Sequence, residues 1–402
     1  MDAYILDWLQ LIFRWLHVIT GIAWIGASFY FVWLDNHLEA PPRWKVDKGI
    51  KGDLWAIHGG GIYEVAKYQM APEKMPETLH WFKWEAYSTW LTGMVLLVLV
   101  FYVGADAYLI DTRVAELTQL QAIGIGLGSL LAGWLLYELL CATPLAGKGY
   151  LLGLTLVVLA VAFSWGLTQL FSGRGAYIHM GAIIGTIMAG NVFRVIMPSQ
   201  RALVAAIESG SEPDPSWGAK AKLRSTHNNY LTLPLLFIMI SNHYPMTYAH
   251  KYNWIILLAI IAISAFARHY FNLRHRGINK PIILVVSLLA TAALAWAIMP
   301  RPSPMATASA TVPDAARVEA IIVQRCATCH SATPTDDVFQ VAPGGVILDD
   351  LQGMQRWAQR IQARTIDAPD MPFMNKTNMT DEERAIVSRW LAAGAPGELH
   401  GE

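Results

Sequence analysis

Cys326, Cys329 and His330, in the run Cys326-Ala327-Thr328-Cys329-His330, are the residues whose spacing most directly names a chemistry. Two thiols three positions apart can form thioethers to a haem while the adjacent imidazole ligates its iron. A redox-active disulfide is the competing use of the same spacing. Iron held this way needs a sixth ligand, and a methionine thioether suits electron transfer because it stabilises the ferrous state. Met371, before Pro372 in the loop that precedes the last expected helix, is the preferred candidate; Met379 is the alternative and Met374 lies close by.

A second set of chemical residues lies in apolar surroundings, where ionisable groups are costly: His17, Glu85, Glu138, His179, Arg194, His227, His243 and Arg268. His17, His179 and His243 are candidates for clamping a haem b, since two imidazoles at similar depth on neighbouring helices can hold an iron inside a bundle. A histidine hydrogen-bonded between helices is the alternative for each. The sixteen residues from His227 to His243 put them on different helix faces unless Pro234 kinks the helix. Two further stretches, His58-Gly59-Gly60-Gly61 and Arg224-Ser225-Thr226-His227-Asn228-Asn229-Tyr230, combine close backbone approach, amide edges, a guanidinium and imidazoles. Such a set suits a flat anionic heterocycle, with Gly59, Gly60, Arg224, Asn228 and Asn229 binding and His58 or His227 moving a proton. A turn and a capped helix start explain the same residues without function.

The elements that must position these groups follow from composition. The 402 residues are 54% hydrophobic and 15% charged, with mean hydropathy +0.35, which points to a membrane protein in contact with lipid. Apolar runs near 7–34, 84–104, 118–141, 149–171, 176–198, 227–243, 253–271 and 281–300 predict eight transmembrane helices. The connections 35–83, 142–148, 199–226 and 272–280 carry fifteen Lys and Arg, against three in 105–117, 172–175 and 242–252. The first set is expected in the cytoplasm, with both termini outside. The first run lacks a basic leader and is expected to be retained. Zero net charge gives no sign of a nucleic-acid partner. Cys141 is expected to be an inert packed thiol.

Laying Leu16–Phe31 on Ile178–Phe193 matches His17 with His179 and four other positions, which suggests a 4+4 internal repeat with cofactors or substrate at its interface. Glycines along these segments serve either close helix approach or room for a macrocycle. The expected organisation is a membrane domain over 1–300, a linker over 301–311 and a separate helical domain over 312–402. Thr380 and Glu383 predict a capping box for its last helix. The fold class expected is all-α.

The last domain resembles a small class I cytochrome c. The runs FRWLHVITGIAWIGASFYF (13–31), HGGGIYEVAKYQ (58–69), LHWFKWEAYSTWLTG (79–93), RSTHNNYLTLPLLFIMISNHYP (224–245) and ARHYFNLRH (267–275), with the fused CATCH domain, resemble the bacterial integral-membrane, cytochrome c-fused urate oxidases. That resemblance implies oxidation of urate to 5-hydroxyisourate with oxygen from water. Electrons would leave through one covalent haem c to a soluble cytochrome or terminal oxidase, from an inner-membrane protein whose c domain is periplasmic. His17 and the small residues after it also resemble the first helix of membrane-bound protoporphyrinogen oxidases, which implies a haem b. A quinol–cytochrome c oxidoreductase and a non-catalytic relay subunit are the competing classes.

Overall fold

A computed structural model describes residues 3–274, 277–299 and 312–397; the expected linker 301–311 lies outside them. The major helices are α1 (Ala3–His37), α2 (Trp84–Leu96), α3 (Gln119–Ala142), α4 (Gly149–Thr168), α5 (Gly173–Asn191), α6 (Met197–Glu208), α7 (Pro215–Ile240), α8 (Asn253–Arg274) and α9 (Ile282–Ala297). π-helical turns at Leu97–Tyr102 and Val192–Ile196 extend α2 and join α5 to α6. Among the described residues, six helices are long and apolar enough to cross a membrane. They coincide with the first five expected runs and with 253–271. The other two expected spans are helical but fall short: α7 carries a polar array, and α9 has 16 residues.

Helix α5 is the axis of the bundle, packing against α2, α3, α4 and α7. Tyr177, Met180, Ile183, Ile184 and Ile187 bury its successive turns in a core with Tyr102, Tyr137, Phe171, Ile238 and Leu257. Small residues permit this closeness: a Cβ on Gly181 would stand 2.6 Å from Ile238, and one on Gly190 2.7 Å from the Trp134 indole nitrogen. At these two positions glycine serves helix approach. Helix α1 instead lies at the periphery against α2, with none of its most apolar stretch buried. The two segments matched as a repeat thus occupy unlike positions.

The expectation of an all-α chain is corrected by a two-stranded antiparallel hairpin, β1 (Ile50–His58) and β2 (Gly61–Tyr68). His58 pairs with Gly61 across a two-residue turn. Gly59 and Gly60 adopt φ of 56° and 80°, the left-handed values a tight hairpin turn demands at both central residues. The glycine run read as open backbone for a ligand is this turn. Lys45, buried at the base of the hairpin, pairs with Asp53 and Glu64.

The C-terminal unit has its own core. Helices α10 (Ala315–Ile322), α11 (Leu351–Arg356) and α12 (Asp381–Ala392) enclose Val318, Ile322, Met354, Met379, Val387 and Trp390. Between α10 and α12 the helical stretch is broken into α11, a turn at Ala358–Ile361 and a π-helical segment Gln362–Asp367. Thr380 and Glu383 form the expected capping box. The unit meets the bundle through Phe373, whose ring centroid lies 5.4 Å from Tyr108 and 5.4 Å from the Arg174 guanidinium. Tyr108 ends a short helical turn after α2, and Arg174 lies in the first turn of α5.

Candidate functional site

A cavity of about 360 Å³ gathers Cys326, Cys329, His330 and Met371 with Arg325, Arg360, Arg364 and Lys376, and Tyr108 and Arg174 of the bundle also line it. The His330 ring donates from Nδ1 to the Val346 carbonyl at 3.1 Å, which fixes its orientation and leaves Nε2 available to a metal. Arg364 receives the Met371 N–H at its carbonyl at 3.0 Å, and the Arg384 guanidinium donates to the Met371 carbonyl at 2.7 Å. Met371 is therefore held by its backbone on both sides. Met379 is not among the lining residues; it is buried in the unit's core at 3% exposure. The structure thus separates the two methionines that the sequence left as alternatives.

Burial pushes the Cys326 thiol up to about 12. Burial, with Asp336 beside it, pushes Cys329 up to about 11. Reactive C-x-x-C pairs rely on lowered thiol pKa values, and burial shifts both of these thiols the other way. A haem suits the donor set: two thiols, an oriented imidazole and a thioether surround one cavity, with cations at its wall for carboxylate groups.

His17, His179 and His243 occupy three separate settings, and among the described residues no hydrogen bond or ring contact joins any two of them. His17 donates from Nδ1 to the Thr89 carbonyl at 3.0 Å and lies 3.1 Å from the Thr92 hydroxyl. His179, wholly buried, donates from Nδ1 to the Gly175 carbonyl at 2.8 Å, so its Nε2 accepts from the Tyr102 hydroxyl at 3.2 Å. A Cβ on Gly126 would stand 2.6 Å from that same nitrogen. The lone pair an iron would need is thus engaged and closely covered. Helix α7 ends at Ile240, which leaves His243 exposed in a one-turn helix beyond it. The expected clamp of a haem b between two of these residues does not fit.

The polar array of α7 divides between two faces. Arg224, His227 and Asn228, spaced to share a face, turn toward α3 and α5. Arg224 donates Nη1 and Nη2 to the two Glu138 oxygens, each at 3.0 Å, and Nη1 also to Asn191 Oδ1 at 3.1 Å. Asn191 donates to the Tyr137 hydroxyl at 2.9 Å and to Asn228 Oδ1 at 2.8 Å. That hydroxyl lies 2.7 Å from His227 Nδ1. Three expected site residues are therefore joined, through Glu138, Tyr137 and Asn191, into one network. Asn229 and Tyr230 turn to α8: Asn229 Oδ1 accepts from Arg268 Nε at 2.9 Å, and the Tyr230 hydroxyl lies 2.6 Å from His269 Nδ1. His58, Gly59 and Gly60 join neither group. All three are exposed, and the His58 side chain has no hydrogen-bond, ionic or ring partner among the described residues.

Glu138 and Arg268 stand out in the sequence as ionisable groups in apolar helices, but nothing there marks their partners. The i, i+3, i+4 spacing of Arg224, His227 and Asn228 was a legible sign of one face. Nothing local marked Asn191 or Tyr137 as its partners.

Among comparisons with known proteins, the family model described as urate oxidase N-terminal matches residues 3–299. No curated protein and no solved structure matches the chain.

Proposed function

The chain belongs to the urate oxidase N-terminal family, and from that premise we propose that it is an integral-membrane urate oxidase with a fused cytochrome c domain. The reaction is urate plus water to 5-hydroxyisourate, two protons and two electrons. The observation that carries the electron-transfer part is the shared cavity of Cys326, Cys329, His330 and Met371, which also includes Tyr108 and Arg174 of the family-matched region. When bound there, a haem c would supply one-electron acceptance. A soluble cytochrome or a terminal oxidase would take the electrons onward.

The six long apolar helices support insertion in a bacterial inner membrane surrounded by lipid. The loop charges favour periplasmic termini and a periplasmic c domain. Within the bundle, Arg224 holds Asn191 and so fixes the Tyr137 hydroxyl against His227. His227 is thus oriented to take a proton through a buried chain, whereas His58 stands exposed at the end of β1. We assign the proton to His227 and the binding role to the α7 and α8 faces, and draw no step through a haem b.

Anaerobic turnover in water enriched in heavy oxygen, with a one-electron acceptor, tests this reading. One labelled oxygen should enter each 5-hydroxyisourate, with two acceptor molecules reduced. Product without label, or turnover that requires oxygen and yields peroxide, would contradict it.

A further inference from the structure

Among the described residues two arginines of the bundle are buried, and their surroundings differ. Arg224, 6% exposed, faces the Glu138 carboxylate at 3.0 Å. Arg268, 4% exposed, has no carboxylate partner among the described residues. Its Nε donates to Asn229, and its guanidinium carbon lies 4.5 Å from the centre of the Phe29 ring. Its Nη2 is buried without any hydrogen-bond partner. One turn further along α8, on the same face, Asn272 buries an Nδ2 that is equally unpartnered.

A buried guanidinium with one neutral acceptor and two aromatic rings, Phe29 and Phe271, has no carboxylate to balance its charge and is short of acceptors. Both orphan groups are donors. What completes them is therefore an acceptor, and the charge on Arg268 makes it an anion. The neighbours agree with a flat one: Phe29 from α1 supplies an aromatic face, and Asn229 locks the guanidinium by its Nε edge, leaving the Nη groups for a ligand. Asn229 follows His227 and Asn228 on α7, so this face and the proton-handling network share one helix.

We propose that Arg268 is the anion-binding anchor of the substrate site, receiving urate through Nη2 with Asn272 Nδ2 as a second donor and Asn229 as the residue that positions the guanidinium. The proposal rests on the urate reading above. It places the substrate on the α7–α8–α1 side of the bundle, where α1 is peripheral, rather than at the hairpin turn.

Asn229→Asp makes the sharpest probe, because it supplies Arg268 with an internal carboxylate. That variant should keep or raise thermal stability yet weaken urate binding, since the new carboxylate competes with the substrate for the same cation. Arg268→Gln should weaken urate binding on the order of 100-fold, with Arg268→Lys recovering part of the loss. The assay is equilibrium dialysis of urate against the full-length, haem-loaded chain, with the c-type absorption spectrum checking integrity, and hypoxanthine as an uncharged purine control. Hypoxanthine binding should change little in any variant. Wild-type urate affinity in both Asn229→Asp and Arg268→Gln would overturn the anchor, and would do so even if urate turnover is intact. Urate binding that depends on Arg268 without turnover would support the anchor while refuting the oxidase reading; no urate binding by the wild type would refute both.

Discussion

Replacing Glu138 with Gln tests the polar network at the heart of the bundle. The substitution preserves shape but removes the charge that faces Arg224 through two hydrogen bonds of 3.0 Å. Arg224 is 6% exposed and retains only neutral acceptors, the amide oxygen of the new Gln and the Asn191 oxygen at 3.1 Å. Removing one member of a buried ion pair costs roughly 3–5 kcal/mol, because the surviving charge is left without compensation. The Glu138 side chain is 22% exposed, so the lower end, about 3 kcal/mol, applies here. For a body of this size that corresponds to a drop of roughly 4–5 °C in the melting midpoint. The assay is thermal unfolding in detergent, followed by tryptophan fluorescence. The double variant Glu138→Gln, Arg224→Gln should recover much of the loss, with a coupling of about 2 kcal/mol. A midpoint in Glu138→Gln within about 1 °C of wild type, or strictly additive losses, would refute the reasoning.

Met371→Ala should abolish the sulfur–iron charge-transfer absorption of the oxidised c-type haem. Met379→Ala should keep that absorption and instead destabilise the C-terminal unit by about 2–5 kcal/mol, as a buried core truncation does. The hydrogen bond from Arg325 holds the Glu383 carboxyl below its usual range. That stabilisation is present above about pH 4.5 and is lost as pH falls through the lowered value, so Glu383→Gln should flatten the acid limb of a pH–stability profile read by circular dichroism. Alanine at Gly59 or Gly60, each at positive φ, should cost about 1 kcal/mol while leaving the urate KM unchanged; a raised KM would return the hairpin turn to the substrate site.

The helical framework was legible because its signal is local. Apolar runs of about twenty residues announce themselves, and six appear as long helices. The capping box of α12 was equally readable, since Thr380 and Glu383 lie three residues apart. The hairpin was not. Its strands alternate poorly, with Trp55, Ile57, Ile62 and Tyr63 all exposed, and Gly59-Gly60 fits both a turn and a ligand loop. The candidate site was readable in its residue types but not in its pairings. Arg224 and Glu138 are 86 positions apart, and only the folded chain shows that Met371 lines the cavity of Cys326 and His330 while Met379 lies in the core of the unit. His179 shows the same limit: the Tyr102 hydroxyl that meets its Nε2 lies 77 positions away.

The most direct test of the account is to mix the purified, oxidised full-length chain with urate under strict anaerobiosis and follow the c-type absorption band. The account predicts reduction of the haem by urate alone, blocked when Cys326 and Cys329 are both replaced by Ser. A haem that dithionite reduces but urate leaves fully oxidised would contradict it.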